Sequence, residues 1–214
     1  MNKLVNKFLS DYVKVEQEHG GVVCISGKSK TCKTKIGLSL ALSKAIEDDE
    51  NLTIVNCELD FKFMLKMVRN FLDAINHSDY IERVTIMQLP YSINDSVLDS
   101  LITDLSKDTV SGVIYIDNPV YAGDQALNKF MCSLSYVGKV KKSCIFVSGE
   151  LSDLVLPLLI KSGIKVFKVN RGVLDNNIFT SKMSLLNSGI HDDIDVSINT
   201  ESGVGTIGGA ILGD

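Results

Sequence analysis

The stretch Ile25-Ser26-Gly27-Lys28-Ser29-Lys30-Thr31-Cys32-Lys33-Thr34 constrains the fold more than any other part of the chain. The apolar run Val22-Val23-Cys24-Ile25 precedes it and a helical pattern follows at once. A strand, a loop opened by glycine and closed by Lys-Thr, and then a helix form a layout suited to phosphate. Backbone N–H groups wrap the anion and the helix N-terminus adds its dipole. Gly27, Lys28, Ser29, Lys30, Thr31, Cys32, Lys33 and Thr34 are the candidate binding residues. Lys33 is expected to reach the terminal phosphates, and the Thr34 hydroxyl to hold Mg²⁺. Cys32 stands where the pattern G-x-x-x-x-G-K-T has its second glycine. A small side chain is compatible with the loop provided that φ at this position is tolerable.

The 214 residues, 45% of them hydrophobic, fit one α/β domain with a well-filled core. A formal net charge of −4 argues against a surface that grips nucleic acid all over, while leaving room for a local basic patch. Cys24, Cys32, Cys57, Cys132 and Cys144 show no C-x-x-C pairing, and three of them fall in or beside expected strands. They read as buried thiols of a reducing cytosol rather than a disulfide or zinc frame. No signal peptide is expected, and the apolar run 154–160 is far too short to span a bilayer.

Along the chain, Leu4, Val5, Phe8, Leu9 and Tyr12 share one helical face. This opening helix either packs on its own domain or docks on a neighbouring subunit. After the loop, Ile36, Leu38, Leu40, Ala41, Leu42, Ala45 and Ile46 indicate a mostly buried helix with a polar stripe at Lys35, Ser39, Ser43 and Glu47. Residues 52–57 read as a strand delivering Glu58 to its C-terminal end, where open α/β sheets carry their chemistry. An amphipathic helix marked by Phe61, Met64, Leu65, Val68, Leu72 and Ile75 follows, with Met64 and Met67 as core filler. Residues 84–89 form a further strand, and Asn94 or Asp95 caps the next helix. Val113-Ile114-Tyr115-Ile116-Asp117 is a buried strand ending in a carboxylate, placed to meet Mg²⁺ beside Thr34.

Residues 139–142 read as a solvated basic loop. Ser148 closes a strand where a γ-phosphate sensor would sit, and residues 152–162 are expected to be helical, with Pro157 near the first turns. After Ile164 the pattern changes to strands at 164–169, 179–186 and 194–199, joined by turn chemistry at Asp175-Asn176-Asn177 and Ser188-Gly189. They form an antiparallel extension on a parallel sheet. The glycine-rich end from Gly203 is expected to be loosely held.

These residues resemble the RecA superfamily, in its branch of DnaB-type helicases and RadA/KaiC-type ATPases. The resemblance rests on Gly20-Gly21-Val22-Val23, the phosphate loop, Asn56-Cys57-Glu58-Leu59, the strand ending in Asp117, and Asn199-Thr200-Glu201-Ser202-Gly203-Val204. It implies a P-loop NTPase fold with a mainly parallel sheet flanked by helices. The implied organisation is an arm over 1–19, a RecA-like domain over 20–205 and a tail over 206–214. It also implies ATP and Mg²⁺ as cofactors, with Lys33 and Glu58 in the catalytic role and Thr34 and Asp117 at the metal. By the same resemblance Glu58 activates the attacking water; the other reading is an N-cap or surface carboxylate. The setting implied is a cytoplasmic homo- or hetero-oligomer, without a membrane span, acting on DNA. The sequence departs from the family at Cys32, at Gly149 in the sensor segment, and at Leu186 and Ser188, which stand where a Lys and an Arg usually serve the neighbouring site. Lys165, Lys168, Arg171 and Lys182 are the nearby cations. The chain is also similar to the MinD/ParA family through Lys28, Leu59-Asp60, Asp117-Asn118-Pro119 and Val169-Asn170-Arg171. In that case Lys28 and Asp60, rather than Glu58, carry the chemistry, and the protein partitions or positions cargo. A third reading is a nucleotide-binding regulator without turnover.

Overall fold

The computed structural model describes residues 20–89, 94–107, 110, 112–119, 124–187, 193–208 and 210–212. The expected opening helix and the Ser188-Gly189 turn lie outside them. Strand β1 (Gly21–Ser26) is buried along almost its whole length. Val23 and Ile25 pack into one core and Val22 and Cys24 into the other, on opposite faces of the sheet. That is why its sequence is a continuous apolar run instead of an alternating one. The same holds for β2 (Leu52–Asn56), β4 (Val113–Asp117) and β5 (Cys144–Gly149). Helix α1 (Lys33–Glu47) follows β1.

With β3 (Val84–Gln88) and β6 (Lys165–Val169), these strands form a parallel sheet in the order β3-β2-β4-β5-β1-β6. Helices α1 and α2 (Phe61–Ala74) cover the face that carries Val23 and Ile25. Helices α3 (Asp95–Leu105), α4 (Asp124–Lys141) and α5 (Leu156–Lys161) cover the other. Adjacent strands β1 and β5 therefore send their connections to opposite faces, which opens a crevice at their C-terminal ends. The register aligns Gln88, Asn56, Asp117 and Ser148 in one transverse row at that edge.

Beyond β6 the sheet turns antiparallel through β8 (Ile178–Leu185), β9 (Asp193–Asn199), β10 (Gly205–Ile207) and β11 (Ala210–Leu212). A short strand not expected from sequence, β7 (Val173–Asp175), pairs with β8. Val169 pairs with Met183 and Val173 with Thr180, four steps along one strand against three along the other. One extra residue thus sits at 170–172, a bulge between β6 and β7. Asn176 and Asn177, at φ 45° and 64°, make the two-residue turn that the sequence indicated.

Several expectations need correction. The glycine-rich end is not loose over 205–207 and 210–212, where it pairs as a hairpin on β9. Glycine is needed at 205 for packing: a Cβ there would overlap the Ser197 carbonyl oxygen. In the polar stripe of α1, Ser39 and Ser43 are buried, and Ser39 Oγ donates to the Gly203 carbonyl at 2.8 Å. The basic run 139–142 closes α4 and is not a free loop; Lys141 Nζ donates to the Leu105 and Val110 carbonyls at 3.3 and 3.2 Å. Helix α5 begins only at Leu156, with Pro157 in its first turn. Asn94 supplies the α3 cap, accepting from the Val97 N–H at 3.0 Å, and Met64 and Met67 are core residues as expected. Among the described residues no helix is long and apolar enough to cross a membrane. The obstruction at position 205 comes from backbone and has nowhere to go. Gly205→Ala is therefore expected to lower stability by about 1–3 kcal/mol, read as an earlier midpoint in chemical denaturation.

Candidate functional site

The loop after β1 is built on close approach. A Cβ at Gly27 would overlap the Thr31 hydroxyl and lie 3.3 Å from the Val169 carbonyl oxygen, so the chain can pass between them only as glycine. Thr31 is buried, and its Oγ1 donates to the Lys28 carbonyl at 2.8 Å, closing the loop on itself. Cys32 is the N-cap of α1 at φ 55° and ψ 18°, in the left-handed region. The missing glycine is therefore missing at a position whose backbone favours glycine. Its side chain gives no capping bond, and the first intrahelical bond runs from the Ile36 N–H to the Cys32 carbonyl at 3.0 Å. The first turn of α1 thus starts without a side-chain cap and without an acidic residue, amid Lys28, Lys30, Lys33 and Lys35. Lys30, Lys33 and Lys35 thus lie beside the positive end of the α1 dipole.

Residues 30–35 floor an open cleft of about 300 Å³, walled by Glu58, Leu59, Phe63 and Met67. Phe63 is 52% exposed, so an aromatic face borders the cationic floor. Burial pushes the Cys32 thiol up, against the opposing pull of Lys35, and desolvation lowers the Lys35 ammonium. The thiol is therefore a neutral, small group at neutral pH.

Asp117 ends β4 in full burial. Its Oδ1 accepts from Tyr115 Oη and from Ser148 Oγ, both at 2.9 Å. Its Oδ2 is buried and has no hydrogen-bond partner. Desolvation raises its pKa, the hydroxyls of Ser148, Tyr115 and Thr34 pull the other way, and the Glu58 charge adds to the rise. Glu58 is exposed at the cleft, and Asn118 Nδ2 donates to its Oε2 at 2.6 Å. Asn118 itself sits at φ 40°, its N–H donating to the Ser148 carbonyl at 2.7 Å. The strand end behind Glu58 is held by Asn56, which bonds Leu59 through both its side-chain amide and its oxygen, and also Gln88.

The structure brings Thr34, Glu58 and Asp117 together around one strand edge, with Lys30, Thr31, Cys32 and Lys33 beside them. Lys28 and Ser29 are exposed on the outside of the loop and do not line the cleft. Asp60 caps α2, accepting from the Lys62 N–H at 2.8 Å. Ser148 is at the strand end as expected, but its hydroxyl is buried in bonds to Asp117 and Tyr115, not open to a ligand. Lys168 faces Asp153 at 3.4 Å and Lys182 faces Asp193 at 3.7 Å, both on the exposed surface; Arg171 is exposed at the bulge. Leu186 donates its N–H to the Val166 carbonyl, and Ser188 lies outside the described residues. All five cysteines are free thiols.

Sequence reasoning missed Tyr115, Asn118, Asn56 and Gly37. The signals were present: Tyr115 is the one aromatic in an aliphatic strand, two residues from Asp117 and so on its face. Gly37, one turn into α1, leaves room for the Tyr115 ring, which would come within 2.8 Å of a Cβ there. A divalent ion fits the donors present. The buried, unpartnered Oδ2 of Asp117 is an open oxygen ligand, and the Thr34 side chain acts on the same carboxyl group. Among the described residues no group of three or more His, Cys, Asp or Glu could hold a metal. Mg²⁺ takes one or two protein oxygens and completes its shell with phosphate oxygens and water, a need that one carboxylate and one hydroxyl can meet.

No protein-family model matches the chain, and no match is found among curated proteins.

Two outcomes follow from the local energetics. Cys32→Gly relieves a left-handed backbone and is expected to raise stability by about 1 kcal/mol in chemical denaturation. The Asp117 carboxyl has its pKa raised by folding, so the folded state favours its protonated form. That contribution is present below the unfolded carboxylate pKa and is lost as pH rises through the folded one. Asp117→Asn is thus expected to stabilise the metal-free protein at neutral pH, with the gain fading as the pH falls through the raised folded pKa and gone below the ordinary carboxylate range. Thermal melts across pH check both the sign and the direction of the trend.

Proposed function

We propose that the protein is a P-loop nucleotide-binding ATPase of the RecA-like type, taking ATP with Mg²⁺ in the cleft between α1 and α2. The observation that carries the reading is the meeting, at one strand edge, of the loop 27–34 with a buried Asp117 whose Oδ2 is unpartnered and a Glu58 held by Asn118. In this reading the α1 amides and Lys33 cradle the phosphates, and Thr34 and Asp117 hold the ion. The ion, when bound, neutralises charge across the phosphate oxygens. Glu58 orients the attacking water. Leu59, Phe63 and Met67 offer the nucleoside an apolar wall.

Two observations favour this type over the MinD/ParA type. Asp60 is used as a helix cap, and Lys28 stands outside the cleft. Leu186 supplies no charge where a neighbour-directed cation is usual, and an arginine so placed is worth about 10³–10⁵ in rate. The protein alone is accordingly a slow ATPase, working in an oligomer or with a partner, and DNA is the proposed substrate surface by resemblance. The same departure, with the strained Cys32, favours one second reading: a subunit that binds ATP and regulates a partner without turnover.

The experiment is calorimetric ATP binding paired with steady-state hydrolysis. Lys33→Ala is expected to weaken binding by about 10–100-fold, the worth of a charge-assisted contact. Glu58→Gln keeps binding and lowers turnover by about 10²–10⁴-fold. Lys28→Ala changes little, and single-stranded DNA raises the wild-type rate. Equal affinity in Lys33→Ala overturns the nucleotide reading. A larger effect at Lys28 than at Glu58 moves the protein to the MinD/ParA type. Wild-type binding with no turnover under any condition supports the regulator.

A further inference from the structure

The Tyr115 phenol is fully buried and touches three oxygens that belong to different parts of the site. It is 2.9 Å from the Thr34 carbonyl, 2.9 Å from Asp117 Oδ1 and 2.8 Å from Ser148 Oγ. A phenol has one proton to give. Ser148 spends its own hydroxyl proton on Asp117 Oδ1. Its oxygen is then an acceptor, like the other two. In the ionised form that a cation would bind, the Asp117 carboxylate is the strongest acceptor of the three. With both hydroxyls on Oδ1, that oxygen is saturated and the plane of the carboxylate is fixed. Oδ2 is left with no bond from the protein. The phenol also rests against the carbonyl of Thr34, the residue whose hydroxyl lies beside the same carboxylate. One side chain therefore reaches from β4 to the first turn of α1. The fold makes room for it: a Cβ at Gly37 would press on the ring at 2.8 Å.

We infer that Tyr115 is a positioning residue for a divalent cation: its hydroxyl holds Asp117 so that Oδ2 and the Thr34 hydroxyl present a preformed pair of oxygens to Mg²⁺. The inference rests on the nucleotide reading above. It goes further in assigning metal dependence to a residue that touches neither nucleotide nor ion. Tyr115→Phe removes only the hydroxyl and keeps the ring that fills the space beside Gly37. Outer-shell partners of metal ligands are worth about 10–100-fold in metal affinity.

The test is calorimetric binding of a non-hydrolysable ATP analogue to the full chain, with EDTA and then across a Mg²⁺ titration. In Tyr115→Phe the analogue affinity in EDTA is expected to equal that of wild type. The Mg²⁺ concentration giving half of the metal-dependent gain should rise by about 10–100-fold. A merely structural tyrosine would weaken binding equally in both conditions, and that result overturns the proposal. An unchanged Mg²⁺ midpoint in a folded variant overturns it as well. Ser148→Ala, which removes one of the two donors to Oδ1 and leaves the phenol, should shift the midpoint in the same direction by less. It carries the test if Tyr115→Phe does not fold, and an unchanged midpoint there counts against the proposal. Wild-type protein that binds the analogue but gains nothing from Mg²⁺ defeats the tyrosine's role alone. Wild-type protein that binds no analogue defeats the nucleotide reading and this inference together.

Discussion

A carboxyl group at zero exposure at the end of a central strand is the costliest element of this fold, and the structure around it is arranged to bear that cost. An isolated buried carboxylate would neutralise itself rather than stay charged. Asp117 is held between those limits. Burial raises its pKa, while three neighbouring hydroxyls oppose the rise. Those hydroxyls come from β4 itself, from β5 and from α1, so satisfying one side chain requires three separate elements to be in register. Moving β5 by one residue would exchange Ser148 for Val147 or Gly149 and remove a donor. The polar row therefore acts as a register lock on the middle of the sheet, where apolar packing alone would tolerate slippage.

The same row explains where the candidate site residues stand. Gln88, Asn56, Asp117 and Ser148 lie side by side at the C-terminal ends of four neighbouring strands. Asn56 shapes the departure of the Glu58 loop, Asn118 reaches across to Glu58, and the Gly27 loop passes against the end of β6. The parallel order makes all these exits emerge at one edge, and the split of connections at β1 and β5 opens the space between them. The geometry is a property of topology, and the chemistry is a property of which polar residue each strand carries at its last position.

Much of this was legible in the sequence because it depends on neighbours in the chain. The strand, loop and helix around Lys33, the apolar strand closing on Asp117, the amphipathic α2 and the Asn176-Asn177 turn are each set by short-range pattern. What could not be read depends on contacts between distant segments. Ser39 reads only as part of a polar stripe until its hydroxyl meets the Gly203 carbonyl, 164 residues away. The glycines near the C-terminus look like slack, yet Gly205 is there because a neighbouring strand passes too close for a side chain. Tyr115 reads as core, and its hydroxyl acquires meaning only with Ser148 and Thr34 in place. Asp60 and Glu58 were indistinguishable as acids in sequence. A helix N-cap accounts for Asp60, and the amide of Asn118 accounts for Glu58, with nothing in local composition to separate them.

Several energetic costs meet in the loop at Cys32, and together they have a direction. A non-glycine residue held in the left-handed region, an uncapped helix start and four lysines within eight residues each raise the energy of the free chain. The like charges repel, and the first-turn amides lack a side-chain partner. An anion seated on the loop would act against two of the three costs at once, by pairing the cations and by accepting from the amides. The backbone cost at Cys32 would remain, because it belongs to the covalent chain. A site of this kind is less stable empty than occupied, and ligand binding to it is linked to folding by mass action. Strain concentrated in a loop is a pattern found at functional sites. Here it gathers on the one loop that the sequence marks for phosphate.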